Sequence, residues 1–133
     1  MIEPVKIQVR FSDVDMMGHV NNAVYLNYFE TARMLYFNQL LGSDWDWTTN
    51  GIILLRNEID YVKSVLLQHK PTIKISVEKI GGKSFVLTYE LKVDDVVYTM
   101  GKSTMVCFNY KQQSTVEIPE LLRSKLNELQ LSN

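Results

Sequence analysis

The densest group of chemically capable side chains lies in residues 10–22, which read Arg-Phe-Ser-Asp-Val-Asp-Met-Met-Gly-His-Val-Asn-Asn. Two carboxylates, Asp13 and Asp15, and one imidazole, His19, fall close together in this segment. Carboxylates and imidazoles serve as nucleophiles and as general acids or bases. The segment therefore predicts hydrolytic or acid–base chemistry.

The segment ends where a helix is predicted to begin. Asn21 and Asn22 are favourable N-cap residues, and the apolar segment Ala23–Leu41 follows, with Gly42 as its stop. The first N–H groups of a helix have no partner inside it, and its dipole is positive there, so developing negative charge is stabilised. Gly18 would allow the backbone to approach a ligand closely. A substrate carbonyl bound here would have its oxyanion stabilised.

The remaining pattern predicts the elements that must position this segment. Because Ala23–Leu41 is apolar on nearly every face, we expect a long helix buried all round. Alternating residues predict a first strand over Val5–Phe11 and further strands between Gly51 and Phe108, with turns at Gly81-Gly82 and Asp94-Asp95. A short C-terminal helix after Pro119 has an apolar stripe, namely Leu121, Leu122, Leu126 and Leu129.

The order strand, long helix, strands predicts an α+β fold, with one buried helix against a curved antiparallel sheet. A chain of 133 residues is near the usual size of one domain, so we expect residues 1–133 to form a single domain. The edges of the sheet would remain open for self-association.

Composition excludes several classes of protein. The net charge of −1 argues against a general nucleic-acid surface, and no apolar run is long enough to span a membrane. The lone cysteine, Cys107, is expected to be a small buried hydrophobe, and the start of the chain lacks the pattern of a signal peptide, so we expect a cytoplasmic protein. Two distant histidines and one cysteine give no zinc spacing. We therefore expect no metal or organic cofactor.

The segment resembles a known family, the hotdog-fold acyl-CoA thioesterases of the 4-hydroxybenzoyl-CoA thioesterase type. Their pattern Asp-x-Asp-x-x-Gly, followed by a helix containing Asn-Tyr, is found here as Asp13-Val-Asp15-Met-Met-Gly18, with Asn27-Tyr28 in the helix. The order of elements is similar over essentially the whole chain. The resemblance implies a hotdog fold with about five to six strands and hydrolysis of an acyl thioester.

The resemblance also implies residue roles. Asp15 matches the catalytic aspartate, acting as nucleophile or as general base on water, and the backbone N–H of Asn22 would polarise the thioester carbonyl. His19 is a further catalytic candidate, and Gly18, Met17 and Tyr25 are candidate substrate contacts. In acyl-carrier-protein thioesterases with a similar His-Val-Asn-Asn run, an asparagine follows the aspartate by two residues, whereas this chain has Met17. This difference places more of the predicted catalysis on Asp15.

Coenzyme A requires a second contact region, and the resemblance places it at the turn containing Lys83 and Ser84. Gly81 and Gly82 stand where some relatives have arginines, so an acyl-carrier protein stays open as the alternative carrier. A homodimer or homotetramer is expected, with no nucleic-acid partner and no membrane insertion.

Other interpretations of the same residues remain open. Asp13 taken alone is a loop residue expected to make local backbone hydrogen bonds. Because fold does not determine function, a non-catalytic binder of acyl thioesters is the second hypothesis, after the thioesterase. A hydratase or dehydratase that pairs His19 with Asp15 is the third alternative.

Overall fold

The computed structural model describes residues 2–130 of the chain. Its elements in chain order are β1 Val5–Lys6, a 3-10 turn Phe11–Asp13, α1 Val24–Leu41, β2 Gly51–Tyr61, β3 Thr72–Ile80, β4 Ser84–Val93, β5 Val96–Asn109, β6 Ser114–Thr115 and α2 Glu120–Glu128. The strands form a six-stranded sheet in the order β1-β3-β4-β5-β2, with β6 paired to β5. The predicted α+β class and strand number are confirmed.

The hairpin of β4 and β5 follows directly from its sequence. Buried and half-buried residues alternate without interruption along β4, as expected for a strand with one apolar face. The two connecting residues, Asp94 and Asp95, have φ angles of 51° and 65°. Asp tolerates this left-handed conformation, and two such residues give the turn that matches the twist of a hairpin.

The first strand is much shorter than predicted. Val5 and Lys6 pair with β3, and the Ile7 N–H still donates to the Pro71 carbonyl at 2.9 Å. The strand does not continue to Phe11, because the chain there enters the 3-10 turn. The Asp13 carboxylate accepts the Arg10 backbone N–H at 2.9 Å, so that N–H is satisfied locally instead of by a neighbouring strand.

The prediction that α1 is buried all round is wrong for the single chain. Leu26, Met34 and Leu35 are 38%, 60% and 49% exposed. The helix buries one stripe with helical spacing, namely Tyr25, Tyr28, Phe29, Ala32, Arg33, Tyr36 and Phe37. Apolar residues on the opposite face made the sequence pattern indicate burial on every side.

The chain divides into two compact units, the first made of residues 1–36, 59–75 and 89–101. Within it the Phe29 ring stacks on the Tyr89 ring, with centroids 4.3 Å apart. The buried Arg33 guanidinium donates to the Tyr89 hydroxyl at 3.0 Å and pairs loosely with Glu30 at 3.9 Å. These contacts fix the middle of α1 against β4, since a buried charge requires such partners.

The second unit contains residues 37–58, 76–88 and 102–133. Leu122 and Leu126 of α2 are fully buried, Leu129 after its end is half-buried and Leu121 is 50% exposed, so the predicted apolar stripe is confirmed at Leu122 and Leu126 and wrong at Leu121. Cys107 is also fully buried, as predicted. Within residues 2–130, no helix combines the length and the apolar character needed to cross a membrane.

Candidate active site

Residues 14–20 form a closed loop directly before α1. Val14 and Val20 form an antiparallel bridge, and the Asp15 N–H donates to the His19 carbonyl at 2.8 Å. The Gly18 N–H donates to the Asp15 carbonyl at 3.0 Å, and Gly18 has a φ of +79°. Glycine adopts this conformation at little cost, so the predicted need for Gly18 is a requirement of the turn.

The loop orients the Asp15 carboxylate. Its Oδ1 accepts the backbone N–H groups of Met17 at 2.9 Å and His19 at 3.1 Å. The side chain is exposed, and its Oδ2 accepts no hydrogen bond from residues 2–130. One carboxylate oxygen is therefore held by the loop while the other is available to a substrate or a water molecule.

The start of α1 leaves one backbone donor unused. The Asn21 side chain accepts the Ala23 N–H at 3.0 Å, and the Asn21 carbonyl accepts the Val24 N–H at 2.9 Å. The Asn22 N–H, by contrast, has no acceptor within the described part of the chain. An exposed, unpaired N–H at the positive end of a helix is a suitable donor to an oxyanion.

Neighbouring segments of the first unit hold the loop from outside. The Val20 N–H donates to the Val65 carbonyl at 2.8 Å, and the Tyr61 hydroxyl donates to the Asn22 carbonyl at 3.0 Å. Tyr25, predicted as a substrate contact, is only 2% exposed, and its hydroxyl accepts the Val65 N–H at 3.1 Å. In the single chain Tyr25 is thus a core residue behind the loop.

Asp13 lies beneath this loop and is 3% exposed. It accepts the Tyr28 hydroxyl at 2.6 Å and the Arg10 guanidinium at 3.3 Å, besides the Arg10 backbone N–H. Burial alone would raise the pKa of Asp13, but the hydrogen bonds from Tyr28 and Arg10 and the Arg10 charge hold that pKa below its usual range. Sequence reasoning predicted the local bonds and missed Tyr28, whose only signal was its place in the Asn-Tyr pair of the family pattern.

The remaining predicted residues lie in both units. Met17 is 76% exposed, and the His19 side chain is half-buried. Lys83 and Ser84 belong to the second unit: Lys83 lies in the turn between β3 and β4, and Ser84 is the first residue of β4, whose carbonyl accepts the Gly81 N–H at 2.7 Å.

Arg123 is a residue of this turn that sequence reasoning missed. Its guanidinium donates to the carbonyls of Gly81 at 2.9 Å and Gly82 at 3.1 Å. The arginine comes from α2, about 40 residues along the chain, so no local pattern reveals the contact. The carbonyls of Gly81 and Gly82 are thus supported by an arginine from another element.

A cleft of about 240 Å³ lies alongside the first half of α1. It is lined by Lys6, Ile7, Gln8, Arg10, Val24, Asn27, Tyr28 and Thr31. Elsewhere in residues 2–130, no three His, Cys, Asp or Glu side chains converge as a metal site requires.

Comparison with known proteins identifies the class. Residues 9–126 match the sequence profile of the thioesterase-like superfamily. The chain therefore belongs to this superfamily, and the family resemblance predicted from the sequence is confirmed.

Particular relatives agree with this assignment. The chain is 30% identical over 130 residues to the long-chain acyl-CoA thioesterase FadM of Escherichia coli K12, covering 93% of this chain and 96% of that protein. It is 27% identical over 118 residues to the 1,4-dihydroxy-2-naphthoyl-CoA hydrolase of Nostoc punctiforme, covering 84% and 78%. A thioesterase from Thermus thermophilus, solved in complex with coenzyme A and Zn, superimposes with a TM-score of 0.83 at 29% identity, covering 95% and 92%. The predictions of a hotdog fold and of a thioester-hydrolysing enzyme are confirmed.

Proposed function

We propose that this protein hydrolyses acyl-CoA thioesters, using the Asp15 carboxylate and the Asn22 backbone N–H. The observation that supports the proposal is that both groups lie on one hydrogen-bonded segment and each has unused hydrogen-bonding capacity. Asp15 offers an unbonded Oδ2, and the Asn22 N–H is unpaired at the start of α1. A negative group and an oxyanion donor are the two parts that acyl transfer requires.

The reaction then proceeds by one of two routes. Asp15 Oδ2 attacks the thioester carbonyl carbon, or it takes a proton from a water molecule that attacks instead. In either route the carbonyl oxygen becomes an oxyanion, which the Asn22 N–H and the positive end of α1 stabilise. The C–S bond breaks, and the departing sulfur takes the proton that Asp15 removed from water or, after direct attack, a proton from solvent. After direct attack, water hydrolyses the resulting acyl-aspartyl anhydride and releases the acid.

His19 is proposed as an auxiliary proton carrier on the same loop. Its backbone N–H and carbonyl both bond to Asp15, whereas its imidazole makes no hydrogen bond within residues 2–130. The ring is therefore available to exchange protons near the reacting groups. Met17 and Gly18 of this loop are proposed substrate contacts, whereas Tyr25, buried behind the loop in the single chain, is proposed to support it.

Coenzyme A is the proposed carrier, with contacts at Lys83 and Ser84. A related thioesterase of known structure was solved with this ligand, and the family relatives act on CoA esters by name. Lys83 is exposed in the turn that Arg123 supports, so its ammonium group is free to meet a phosphate. A cytoplasmic location and a homodimeric or homotetrameric assembly belong to the same proposal.

Thiol release from a panel of acyl-CoA esters tests the proposal. The panel contains long-chain, short-chain and aromatic acyl groups, and a thiol reagent follows the released coenzyme A. Cys107 does not contribute a background, because burial raises the pKa of its thiol to about 11. Turnover of at least one ester supports hydrolysis and identifies the acyl class.

The same panel separates the alternatives. Hydration of an enoyl-CoA without thiol release would indicate a hydratase. Tight binding without any product would indicate a binding protein. Turnover of acyl-carrier-protein esters alone would change the carrier and leave the hydrolytic mechanism in place.

A further inference from the structure

Asp13 is a buried carboxylate that the proposed hydrolysis does not use. The ionisable groups that face it are the Arg10 guanidinium and the Tyr28 hydroxyl. Its contact with Tyr28, at 2.6 Å, is in the short range typical of a hydroxyl bound to an ionised carboxylate. Burial of such a group is costly unless it is fully bonded, so a role beyond filling the core is indicated.

The bonds of Asp13 join the two ends of residues 13–22, here called the active loop, and one of these bonds reaches α1. On the near side, Asp13 lies two residues before Asp15 and accepts the Arg10 N–H at 2.9 Å. On the far side, the Asp13 carbonyl accepts the Asn21 N–H at 2.9 Å, immediately before Asn22. Tyr28 reaches the same carboxylate from the second turn of α1.

We propose that the Tyr28–Asp13 hydrogen bond positions the active loop, setting the Asp15 carboxylate against the Asn22 N–H at the start of α1. Tyr28 and Asp13 are positioning residues, since neither touches the reacting atoms. The inference rests on the proposed function.

The bond is suited to this task because it is short, buried and shared between two elements. The loop contributes Asp13 and α1 contributes Tyr28, so their separation fixes the loop relative to the helix end. Misplacing a reacting group by about 1 Å can cost on the order of 10²-fold in rate. Loss of one bond that fixes this placement is therefore expected to lower kcat more than it lowers substrate affinity.

The test compares two tyrosine variants on the same helix. Tyr28→Phe removes the hydroxyl that bonds Asp13. Tyr36→Phe is the matched control, since Tyr36 is equally buried and its hydroxyl bonds the Ile75 N–H at 3.1 Å, away from the loop. Both variants lose one buried hydroxyl, and Tyr28→Phe is expected to lose more thermal stability, because its hydroxyl bonds an ionised carboxylate whereas that of Tyr36 bonds a backbone N–H.

We expect Tyr28→Phe to lower kcat by about 10- to 100-fold while KM changes less than about threefold, an effect of misplacement and not of lost binding. Tyr36→Phe is expected to keep kcat within about twofold. Equal kcat in the two variants, both measured at a temperature where each is fully folded, would overturn the proposal.

A second readout does not depend on catalysis. Hydrogen exchange of the Asn21 and His19 amides, measured by NMR, reports the bonds to the Asp13 carbonyl and to Asp15 Oδ1. Tyr28→Phe is expected to speed exchange at both amides, and Tyr36→Phe is expected to leave them unchanged. If the wild type hydrolyses no thioester, the proposed function fails while exchange still decides the positioning role. Unchanged exchange in Tyr28→Phe would refute that role.

Discussion

Asp13 and Asp15 are two residues apart and have opposite surroundings. Asp13 is 3% exposed and receives bonds from Tyr28 and Arg10, whereas Asp15 is exposed and keeps its Oδ2 unbonded. Surroundings of this kind assign different tasks to identical side chains. Asp13 is thus suited to holding structure and Asp15 to reacting with a substrate.

Because of Asp13, the free energy of unfolding is expected to depend on pH in the acid range. Its pKa is below the usual range in the folded protein, so its contribution to stability is fully present above the unfolded pKa of about 3.9. That contribution is lost as pH falls through the folded pKa, when the carboxylate must be protonated. Urea unfolding from pH 2.5 to 6 is expected to show a stability difference between wild type and Asp13→Asn that is constant above about pH 5 and shrinks below about pH 4. An unchanged difference across the whole range would contradict this role.

Alanine substitutions at Gly18, in the active loop, and at Gly42, at the far end of α1, form a matched pair that tests whether the loop conformation matters for activity. Both have left-handed φ angles, +79° and +81°, and at both an added Cβ meets nothing within 4 Å. Alanine at either position is therefore expected to cost about 1–2 kcal/mol in unfolding free energy, through backbone strain alone. Only Gly18→Ala should also lower kcat, because the strain shifts the loop that holds Asp15. Denaturant unfolding measures the loss of stability in both variants, and thiol release measures their kcat. Equal kcat in Gly18→Ala and Gly42→Ala would show that hydrolysis does not require this loop geometry.

At the scale of elements, α1 carries two different surfaces. Its buried stripe includes Phe29, stacked on Tyr89, and Arg33, bonded to the same tyrosine. Leu26, Met34 and Leu35 are exposed outside that stripe. The helix therefore combines a core contact, a starting point for the active loop and several exposed apolar side chains.

The contribution of the C-terminal helix α2 to the stability of the protein is expected to come from its buried face. Leu122 is fully buried and its neighbour Leu121 is 50% exposed. Leu122→Ala is therefore expected to destabilise the protein by about 2–5 kcal/mol, the usual cost of a cavity in a core. Leu121→Ala is the control, with an expected change within about 0.5 kcal/mol. Chemical denaturation measures both, and similar losses would show that the two faces of α2 are not distinguished by burial.

At the scale of the whole molecule, local patterns could be predicted from the sequence and contacts between distant segments could not. The alternation of β4 and the Asp94-Asp95 turn depend on neighbouring residues, so both were predicted correctly. The Tyr28–Asp13 bond joins residues 15 positions apart, and the Arg123–Gly81 bond joins residues 42 apart. Such contacts form only when the elements pack against one another. The composition of the chain and the spacing of its apolar residues therefore do not reveal them.

The same reason explains the error on α1. An apolar residue indicates burial against something, but the sequence does not say against what. Leu26, Met34 and Leu35 are exposed in the single chain, so their apolar character is not explained by its core. A self-associating protein would explain it, since exposed apolar surface commonly marks an interface.

The proposed assembly predicts a solution mass that is a multiple of the chain mass of 15.4 kDa. Light scattering after size exclusion is expected to give two or four times that value at micromolar concentration. Leu35→Glu, on the exposed face of α1, is expected to shift the mass downward if that face is part of the interface. A wild type of 15.4 kDa at micromolar concentration would contradict the assembly.

The most direct test of the central claim is the kcat of Asp15→Asn for the best acyl-CoA substrate, measured by thiol release. Asp46→Asn is the matched control, because Asp46 is also an exposed loop residue whose Oδ1 accepts two backbone N–H groups, at 3.0 and 3.4 Å. Hydrolysis through Asp15 predicts a fall in kcat of about 10²–10⁴-fold for Asp15→Asn, with circular dichroism unchanged and Asp46→Asn at wild-type activity. An Asp15→Asn protein with full turnover would contradict the claim that this carboxylate performs the chemistry.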